Sequence, residues 1–338
     1  MKILITGGAG FIGSHFTRYW LQKYPKDSIT ILDLLDYAGN KDILDEFKKH
    51  RNVTVIKGDI CNKKLVQTVT KNCDTLFHLA AQTHVDRSIH SSDPFIQTNI
   101  VGTQNLLESS RINHVKKFVY ISTDEVYGSI QNGKFVETDS LHPSSPYSAS
   151  KAGGDLLCLA YWHTYKFPVI ITRCCNNFGP HQFPEKVIPV FITHLLEGKK
   201  IPLYGNGKNV REWIYVLDHC RAIDLVFQKG KLGEIYNIGS GTELNNLDLA
   251  KLILKNLDFP TRFIQQVTDR PGHDLRYALN SSKLRKLGFQ PKHTFTEYMH
   301  ETIRWYKENT AWWKQIKDTS PYKKYFKKQY PGLTRILR

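Results

Sequence analysis

The first 33 residues place a glycine-rich turn between a strand and a helix, and this unit restricts the fold more than any other part of the sequence. Lys2-Ile3-Leu4-Ile5-Thr6 is a short apolar run, and Gly7-Gly8-Ala9-Gly10-Phe11-Ile12-Gly13 follows it without a gap. A helical pattern then extends from Ser14 to about Lys23, and a second apolar run, Ser28 to Leu32, ends in Asp33. This order is typical of the first unit of a parallel, doubly wound sheet.

The glycine turn predicts a binding site for a dinucleotide. Glycines allow a sharp turn and bring backbone amides close to a pyrophosphate, and the helix N-terminus adds partial positive charge for the same anion. A tight turn with no ligand is the alternative explanation of the glycines. The residues expected against the cofactor here are Gly7, Gly10, Phe11, Ile12 and Gly13.

Asp33 predicts which dinucleotide is bound. It lies 20 residues after Gly13, at a strand end where a carboxylate accepts hydrogen bonds from an adenosine ribose. The same carboxylate repels a 2′-phosphate, which favours NAD over NADP. The alternative is that Asp33 caps the loop that leads to Tyr37-Ala38-Gly39-Asn40.

Strand and helix patterns continue to alternate along the first half of the chain. The further predicted strands are Val53 to Lys57, Thr75 to Leu79, Lys117 to Ser122, Pro168 to Arg173 and Ile235 to Ile238. This rhythm predicts an α/β fold, a doubly wound parallel Rossmann sheet with a smaller, partly interleaved C-terminal substrate domain. Ligands bind at the carboxyl ends of such strands. Further residues expected against the cofactor are Asp59, Ile60, Ala80, Ala81 and Asn99.

The predicted domain boundaries follow the change in pattern after the sixth strand. Residues 1–175 form the NAD-binding domain, and residues 208–240 are expected to return to it. Residues 176–207 and 241–317 form the substrate domain. Residues 318–338 are a basic tail with lysines at 323, 324, 327 and 328 and arginines at 335 and 338. A solvated extension is the favoured interpretation of this tail, over a membrane-surface or subunit contact.

Reactive side chains concentrate between Val119 and Lys151. Thr123, Asp124 and Glu125 follow the fifth strand directly, at the sheet edge where ligands bind. Tyr147 and Lys151 are four residues apart on one helix face, so the ammonium is expected to lower the pKa of the phenol. Two adjacent acids are usually a solvated loop pair. Beside Tyr147 and Lys151, the two acids instead predict a second pair of groups for acid and base catalysis.

Charge and cysteine content exclude several other classes. The net charge of +16 is scattered along the chain without a nucleic-acid motif, so no nucleic-acid partner is expected. No apolar run approaches the roughly 20 residues that span a bilayer, and no cleavable signal pattern is present. Six cysteines without CxxC spacing predict reduced thiols, no metal site and a cytoplasmic protein.

Together these motifs resemble the extended short-chain dehydrogenases/reductases, and more closely the dTDP-glucose 4,6-dehydratases. The resemblance covers residues 1 to about 317. Its most selective part is Ser122-Thr123-Asp124-Glu125-Val126-Tyr127-Gly128, because related epimerases and decarboxylases generally lack the Asp-Glu pair. A late segment, Asp269-Arg270-Pro271-Gly272-His273-Asp274, also matches.

The resemblance implies oxidation of a nucleotide-linked glucose at C4, loss of water across C5 and C6, and return of the hydride to C6. Tyr147 would take the 4-hydroxyl proton, Lys151 would assist it and hold the ribose, and Thr123 would hydrogen-bond the same oxygen. Glu125 would be the base at C5 and Asp124 the acid at the 6-hydroxyl, which requires their pKa values to differ. NAD would be tightly held and regenerated in each turnover.

The resemblance also implies substrate residues and a homodimer paired through helices at about 95–112 and 147–165. The substrate residues are His84, Asn177, Glu185, Lys186, Arg211, Asn246, Arg270 and His273. Local alternatives remain, such as Arg211 pairing with Glu212, or His273 filling a turn. Three competing functions remain open. They are a 4,6-dehydratase that acts on a UDP-, CDP- or GDP-linked hexose, a 4-epimerase or decarboxylase, and a non-catalytic NAD-binding protein.

Overall fold

A computed structural model describes residues 1–333, so Arg335 and Arg338 of the predicted tail lie outside the described residues. The strands are β1 (Lys2–Thr6), β2 (Ser28–Asp33), β3 (Val53–Lys57), β4 (Thr75–His78), β5 (Lys117–Thr123), β6 (Val169–Cys174), β7 (Asn176–Phe178), β8 (Ile201–Tyr204), β9 (Val210–Tyr215), β10 (Ile235–Ile238), β11 (Glu243–Asn245) and β12 (Ile264–Val267).

The helices surround these strands. They are α1 (Phe11–Lys23), α2 (Lys41–Phe47), α3 (Lys63–Thr70), α4 (Val85–His90), α5 (Asp93–Ile96), α6 (Thr103–Ile112), α7 (Pro146–Tyr165), α8 (Val187–Leu196), α9 (Val216–Lys229), α10 (Asn246–Asn256), α11 (Ser282–Lys286), α12 (Phe295–Glu308), α13 (Thr310–Lys317) and α14 (Ser320–Gln329). Within residues 1–333 none of them is both long and apolar enough to cross a bilayer.

Seven strands form the main sheet in the order β10-β6-β5-β4-β1-β2-β3, and all neighbours are parallel. In β1, Ile3 and Ile5 join the apolar cluster on one face and Leu4 joins the cluster on the other. Both faces are therefore buried, which explains why the strands are continuous apolar runs. The predicted doubly wound parallel sheet is confirmed. Strand order reverses between β1 and β4, the position where such sheets bind dinucleotides.

A second unit contains two small sheets, β11-β9-β7 and β12-β8, over a separate apolar cluster. Residues 208–240, predicted to return to the first domain, divide between the two units. Strand β10 pairs with β6 in the main sheet, whereas β9 pairs with β7 and β11 outside it. Local sequence patterns carry no information about which strands pair with each other.

Helix α9 ties the middle of the chain back to its beginning. Asp224 is 1% exposed and accepts hydrogen bonds from Lys23 Nζ (2.5 Å), the Tyr19 hydroxyl (2.7 Å) and the Tyr24 hydroxyl (3.0 Å). Phe227 packs against the Trp20 ring, with centroids 5.4 Å apart. The outer face of α1 is therefore covered by residues about 200 positions later in the sequence.

The predicted solvated extension is wrong for residues 320–329, which form α14. Tyr322 and Tyr325 are buried, and the Tyr322 hydroxyl donates to the Pro184 carbonyl at 2.9 Å. The aromatic residues face the protein while Lys323 and Lys324 stay exposed. In the sequence, the many lysines drew attention to charge, and the aromatic residues that recur on one side of the helix were not recognised.

Candidate active site

A cavity of about 610 Å³ lies at the carboxyl ends of β1, β4, β5 and β6. This is the edge at which the strand order predicts a ligand. Among the residues predicted to bind the cofactor, its wall contains Gly7, Gly10, Phe11, Ile12, Gly13, Asp33, Asp59, Ile60, Ala80, Ala81 and Tyr147.

The glycine turn leaves no room for side chains. Gly7 has a φ of +76°, and a Cβ placed on it would lie 2.6 Å from the Ala80 nitrogen. A Cβ on Gly13 would lie 2.1 Å from the Gly7 oxygen. Gly10 caps α1 without a side-chain hydrogen bond, so the first amides of the helix remain available to an anion. The turn therefore fits the pyrophosphate of a dinucleotide.

Asp33 connects the glycine turn to the loop after β2. Its Oδ2 accepts from the Ala9 amide and its Oδ1 from the Leu35 amide, both at 2.8 Å. Burial raises the pKa of this carboxyl, and the two amides oppose that rise. Each oxygen keeps a second lone pair, so capping the loop and accepting from a ribose are compatible.

Asn99 lies behind the cavity wall. Its amide nitrogen donates to the Gln82 carbonyl (3.0 Å) and to Ser150 Oγ (2.8 Å), and its oxygen accepts from the Gln82 amide (2.9 Å). Gln82 lines the cavity and Asn99 does not. The structure therefore places Asn99 as a support for the wall, in contrast to the predicted cofactor contact.

The acid pair lies where β5 ends, in a 3-10 turn at Asp124–Tyr127. Thr123 Oγ1 donates to Asp124 Oδ1 at 3.1 Å and accepts from the Glu125 amide at 3.3 Å. Asp124 is 1% exposed, and no hydrogen bond to its Oδ2 is found within residues 1–333. Thr123, Asp124 and Glu125 all line the cavity, which excludes a solvated loop pair.

The two carboxyls have different surroundings. Burial raises the pKa of Asp124 well above its ordinary value, and the Glu125 carboxylate raises it further. Burial also raises the pKa of Glu125, but the positive charges of Arg270, Arg211 and Lys186 oppose this. Both carboxyls therefore have raised pKa values, but the rise is larger for Asp124, so Asp124 holds its proton more strongly than Glu125 does, which is the direction of difference that an acid and a base in one site require.

The raised pKa of Asp124 predicts a change of stability with pH. Between the unfolded pKa of about 4 and the raised folded pKa, the native state holds a proton that the unfolded state has lost. The contribution of Asp124 to the free energy of unfolding is therefore largest below this pH range. It falls as pH rises through the range, by at most about 1.4 kcal/mol per pH unit.

Asp124→Asn removes this dependence. Urea unfolding of both proteins at several pH values from 5 to 8 should therefore show the variant gaining stability relative to wild type as pH rises. The exposed Asp258→Asn variant serves as a matched control. A difference between Asp124→Asn and wild type that is constant over this range would contradict a protonated Asp124.

Tyr147 and Lys151 lie in α7, whose first turn is fixed by a capping box between Ser145 and Ser148. Tyr147 faces the cavity, but Lys151 does not line it. Lys151 Nζ donates to the Ile121 carbonyl at 2.7 Å, and burial lowers the pKa of this ammonium to about 8.

The prediction that Lys151 lowers the pKa of Tyr147 is wrong among the described residues. Burial raises the pKa of Tyr147 well above its ordinary value, the Glu125 carboxylate adds to the rise, and the Thr123 hydroxyl opposes it. The Lys151 ammonium is occupied by a backbone carbonyl instead. Helix spacing predicted that Tyr147 and Lys151 share one face of α7. How deeply each side chain is buried depends on packing against other elements, which helix spacing does not show.

Three of the predicted substrate residues, Asn177, Glu185 and Lys186, line the cavity. Glu185 is buried, and Lys186 Nζ donates to the Thr83 carbonyl at 2.8 Å. His84 does not reach the wall. Its Nε2 lies 3.4 Å from the Glu185 carbonyl oxygen, and its ring packs edge-on against Tyr325.

Two other predicted substrate residues, Arg211 and Arg270, lie near enough to Glu125 for their charges to lower its pKa. Arg211 does not pair with Glu212; its guanidinium donates to the Val210 (2.7 Å) and Asp274 (3.0 Å) carbonyls. Arg270 donates to Asp86 at 3.0 Å. These residues lie outside the cavity lining.

His273 and Asn246 also lie outside the cavity lining. His273 Nδ1 lies 2.5 Å from Asp269 Oδ1, and burial lowers the pKa of this imidazole to about 4. Asn246 begins α10, and its backbone amide donates to the Asn209 carbonyl at 3.0 Å.

Several wall residues had no predicted role. They are Tyr37, Cys174, His181, His219, Trp312, Gln315, Ile316 and Thr319. Four of them come from the segment around α13, near the end of the chain. Adjacent tryptophans in a lysine-rich stretch were the available signal, because large aromatic side chains are seldom left in solvent.

Comparison with known proteins agrees with this geometry. The family model described as GDP-mannose 4,6 dehydratase matches residues 4–302. A dTDP-glucose 4,6-dehydratase from Streptomyces niveus is 49% identical, with 94% of this chain and 96% of the relative covered.

Solved structures give the same result. DesIV, a dTDP-glucose 4,6-dehydratase from Streptomyces venezuelae with NAD bound, has a TM-score of 0.92 and 48% identity over 94% of this chain and all of that chain (100%). A UDP-glucose 4-epimerase from Thermotoga maritima is more distant, with a TM-score of 0.85 and 29% identity over 92% of this chain and 100% of that chain. The resemblance predicted from the motifs is confirmed, and the chain belongs to the GDP-mannose 4,6 dehydratase family, with dTDP-glucose 4,6-dehydratases among its near relatives.

Proposed function

We propose that this protein is a lyase that converts dTDP-glucose to the 4-keto-6-deoxy sugar with bound NAD. The observation that carries the proposal is that Tyr147, Asp124 and Glu125 face one cavity, whose other end is the glycine turn. Three relatives that each match more than 90% of the chain bear the name of this activity. A 4-epimerase has no use for an acid and a base at C5 and C6.

In the first half of the reaction, Tyr147 takes the proton of the 4-hydroxyl group while Thr123 hydrogen-bonds the same oxygen. Bound NAD would supply the hydride chemistry, accepting hydride from C4 and giving it back at C6, and its positive charge would oppose the rise that burial causes in the pKa of Tyr147. The glycine turn and Asp33 would hold the dinucleotide, and Lys151, whose ammonium keeps donors beyond the one on the Ile121 carbonyl, would hold the ribose. The phenol of Tyr147 and the carboxyls of Asp124 and Glu125 lie near one another, so all three can act on one sugar.

In the second half, the 4-keto group makes the C5 proton acidic. Glu125, surrounded by positive charge, removes this proton. Asp124, kept protonated by burial, donates to the departing 6-hydroxyl, which leaves as water. Glu125 would give its proton back to C5 as the hydride returns to C6. The proton that Tyr147 took offsets the one that Asp124 gave, so exchange with solvent restores both groups and the net reaction is the loss of one water.

The second unit, residues 176–207 and 241–317 together with strand β9, holds the nucleotide in this proposal. Arg211, Arg270 and His273 bind the diphosphate, since guanidinium groups fork onto two phosphate oxygens. The remaining predicted contacts to the sugar, base and ribose are His84, Asn177, Glu185, Lys186 and Asn246. The neutral imidazole of His273 acts as a donor or an acceptor, without a charge.

We also infer a cytoplasmic homodimer. Exposed apolar side chains on the helices predicted to pair include Ile96, Val101, Ile112 and Leu156. A protein exposing such a surface gains by covering it with a second copy. Sedimentation of the purified protein as a monomer at micromolar concentration would overturn the dimer.

Mass spectrometry of dTDP-glucose incubated with the purified protein tests the proposed function. We expect a product that has lost one water, formed without added NAD because the cofactor is carried through purification. UDP-, CDP- and GDP-glucose are assayed in parallel to define the base. A product of unchanged mass, or dehydration of another nucleotide sugar in preference to dTDP-glucose, contradicts the proposal.

A further inference from the structure

The guanidinium of Arg87, in α4, contacts three other segments of the chain, two through aromatic rings and one through a carboxylate. Its guanidinium carbon lies 4.1 Å from the ring centroid of Tyr37 and 4.3 Å from that of Tyr325. Its Nε and Nη2 both approach Glu185 Oε2, at 2.9 Å and 2.8 Å. A planar cation is required for this arrangement, because only guanidinium can stack between two rings and donate in its own plane.

These contacts join two segments of the cavity wall. Tyr37 belongs to the loop that follows Asp33, and Glu185 belongs to the segment before α8; both line the cavity. Tyr325 belongs to α14. We call the four residues Tyr37, Arg87, Glu185 and Tyr325 the Arg87 latch.

Two further side-chain contacts link the Tyr37 loop to the rest of the protein. Gln82 Nε2 donates to Asp36 Oδ2 at 2.6 Å in an exposed position, and Tyr37 meets Phe183 edge-on with centroids 5.6 Å apart. Glu185 has a side chain only 2% exposed, and Arg87 is the cation in direct contact with it. Loss of Arg87 would leave the buried Glu185 carboxylate without the cation that neutralises it, which favours entry of water and separation of the segments.

We propose that Arg87 is a positioning residue that holds the Tyr37 loop against the segment before α8 and so keeps this loop closed over the bound dinucleotide. Arg87 does not line the cavity, so it acts through Tyr37 and Glu185. This inference rests on the proposed function, in which the reduced cofactor must stay in place until its hydride returns to the same sugar. The latch prevents loss of that cofactor between the two halves of the turnover.

The test compares Arg87→Gln, Arg87→Lys and Lys324→Ala in the full chain. Lys324 is an exposed residue of the same helix as Tyr325 and is the matched control. The measurements are the NAD content after purification, the rate of exchange of bound NAD for isotopically labelled NAD, and kcat and KM with and without added NAD.

We expect Arg87→Gln to exchange NAD roughly tenfold or more faster than wild type, the effect of losing one strong contact. Excess NAD should restore its kcat, because the reacting groups are intact. Arg87→Lys should be intermediate, and Lys324→Ala should match wild type. If Arg87→Gln is insoluble, Arg87→Lys decides the question through its exchange rate.

Exchange at the wild-type rate in the variants overturns the latch. So does a low kcat in a variant that keeps its NAD and is not rescued by more, since Arg87 would then affect chemistry or folding. Wild-type protein that neither retains NAD nor dehydrates dTDP-glucose is a different result, because it rejects the proposed function itself.

Discussion

Replacing Glu125 by glutamine, or Asp124 by asparagine, should slow dehydration by about a hundredfold or more while NAD remains bound, the scale of a general acid or base. Each substitution keeps the size of the side chain and removes one proton transfer. Oxidation at C4 needs neither carboxyl, so both variants should accumulate reduced cofactor, visible by its absorbance. The exposed Glu308→Gln variant is the control and should turn over normally.

The two variants differ in what happens at C5. In Asp124→Asn the base remains, so the C5 hydrogen of the oxidised sugar should exchange with solvent deuterium. In Glu125→Gln this exchange should be lost. Near-normal dehydration in either variant, or exchange in the opposite pattern, would reject the assignment of acid and base.

Replacing Tyr147 by phenylalanine should reduce turnover by about a thousandfold and stop the reaction one step earlier. Without the phenol the 4-hydroxyl proton has no acceptor, so no reduced cofactor should accumulate when dTDP-glucose is added. This separates the variant from both carboxyl variants. Rapid-mixing absorbance measurements with saturating substrate distinguish the two stopping points.

Tyr236→Phe is the matched control. Tyr236 is also buried, but its hydroxyl accepts a backbone hydrogen bond from Lys231 (2.9 Å) away from the cavity. Its variant should keep normal kinetics with slightly lower stability. Reduction of the cofactor at the wild-type rate in Tyr147→Phe would mean that another group is the base.

The sequence was sufficient to predict the main sheet because each of its strands is an apolar run followed by a polar or glycine-rich turn. The single helix expected at about 95–112 is instead interrupted by a π-helical segment, Gln97–Gly102. A Cβ on Gly102 would lie 2.5 Å from Ile60 Cδ1, so a close tertiary contact shapes this region. A contact between residues far apart in the chain produces no repeating pattern in the local sequence, so the sequence could not predict this interruption.

The same limit applies to the active site. Asp124, Glu125 and Tyr147 could be named from their positions after a strand and on a helix face. The separation of the two carboxyl pKa values could not, because it depends on Lys186, Arg211 and Arg270 arriving from other elements. The error for Tyr147 has the same origin, since burial outweighs the effect of one lysine.

The packing of α9 on α1 has a consequence for synthesis on the ribosome. Until about residue 229 has left the ribosome, Phe227 cannot pack on Trp20. Strand β10, which pairs with β6, is synthesised later still. A nascent chain that already carries the complete glycine turn would thus present an open apolar flank during translation. Chaperone demand during expression should therefore be greatest for chains halted between β6 and α9.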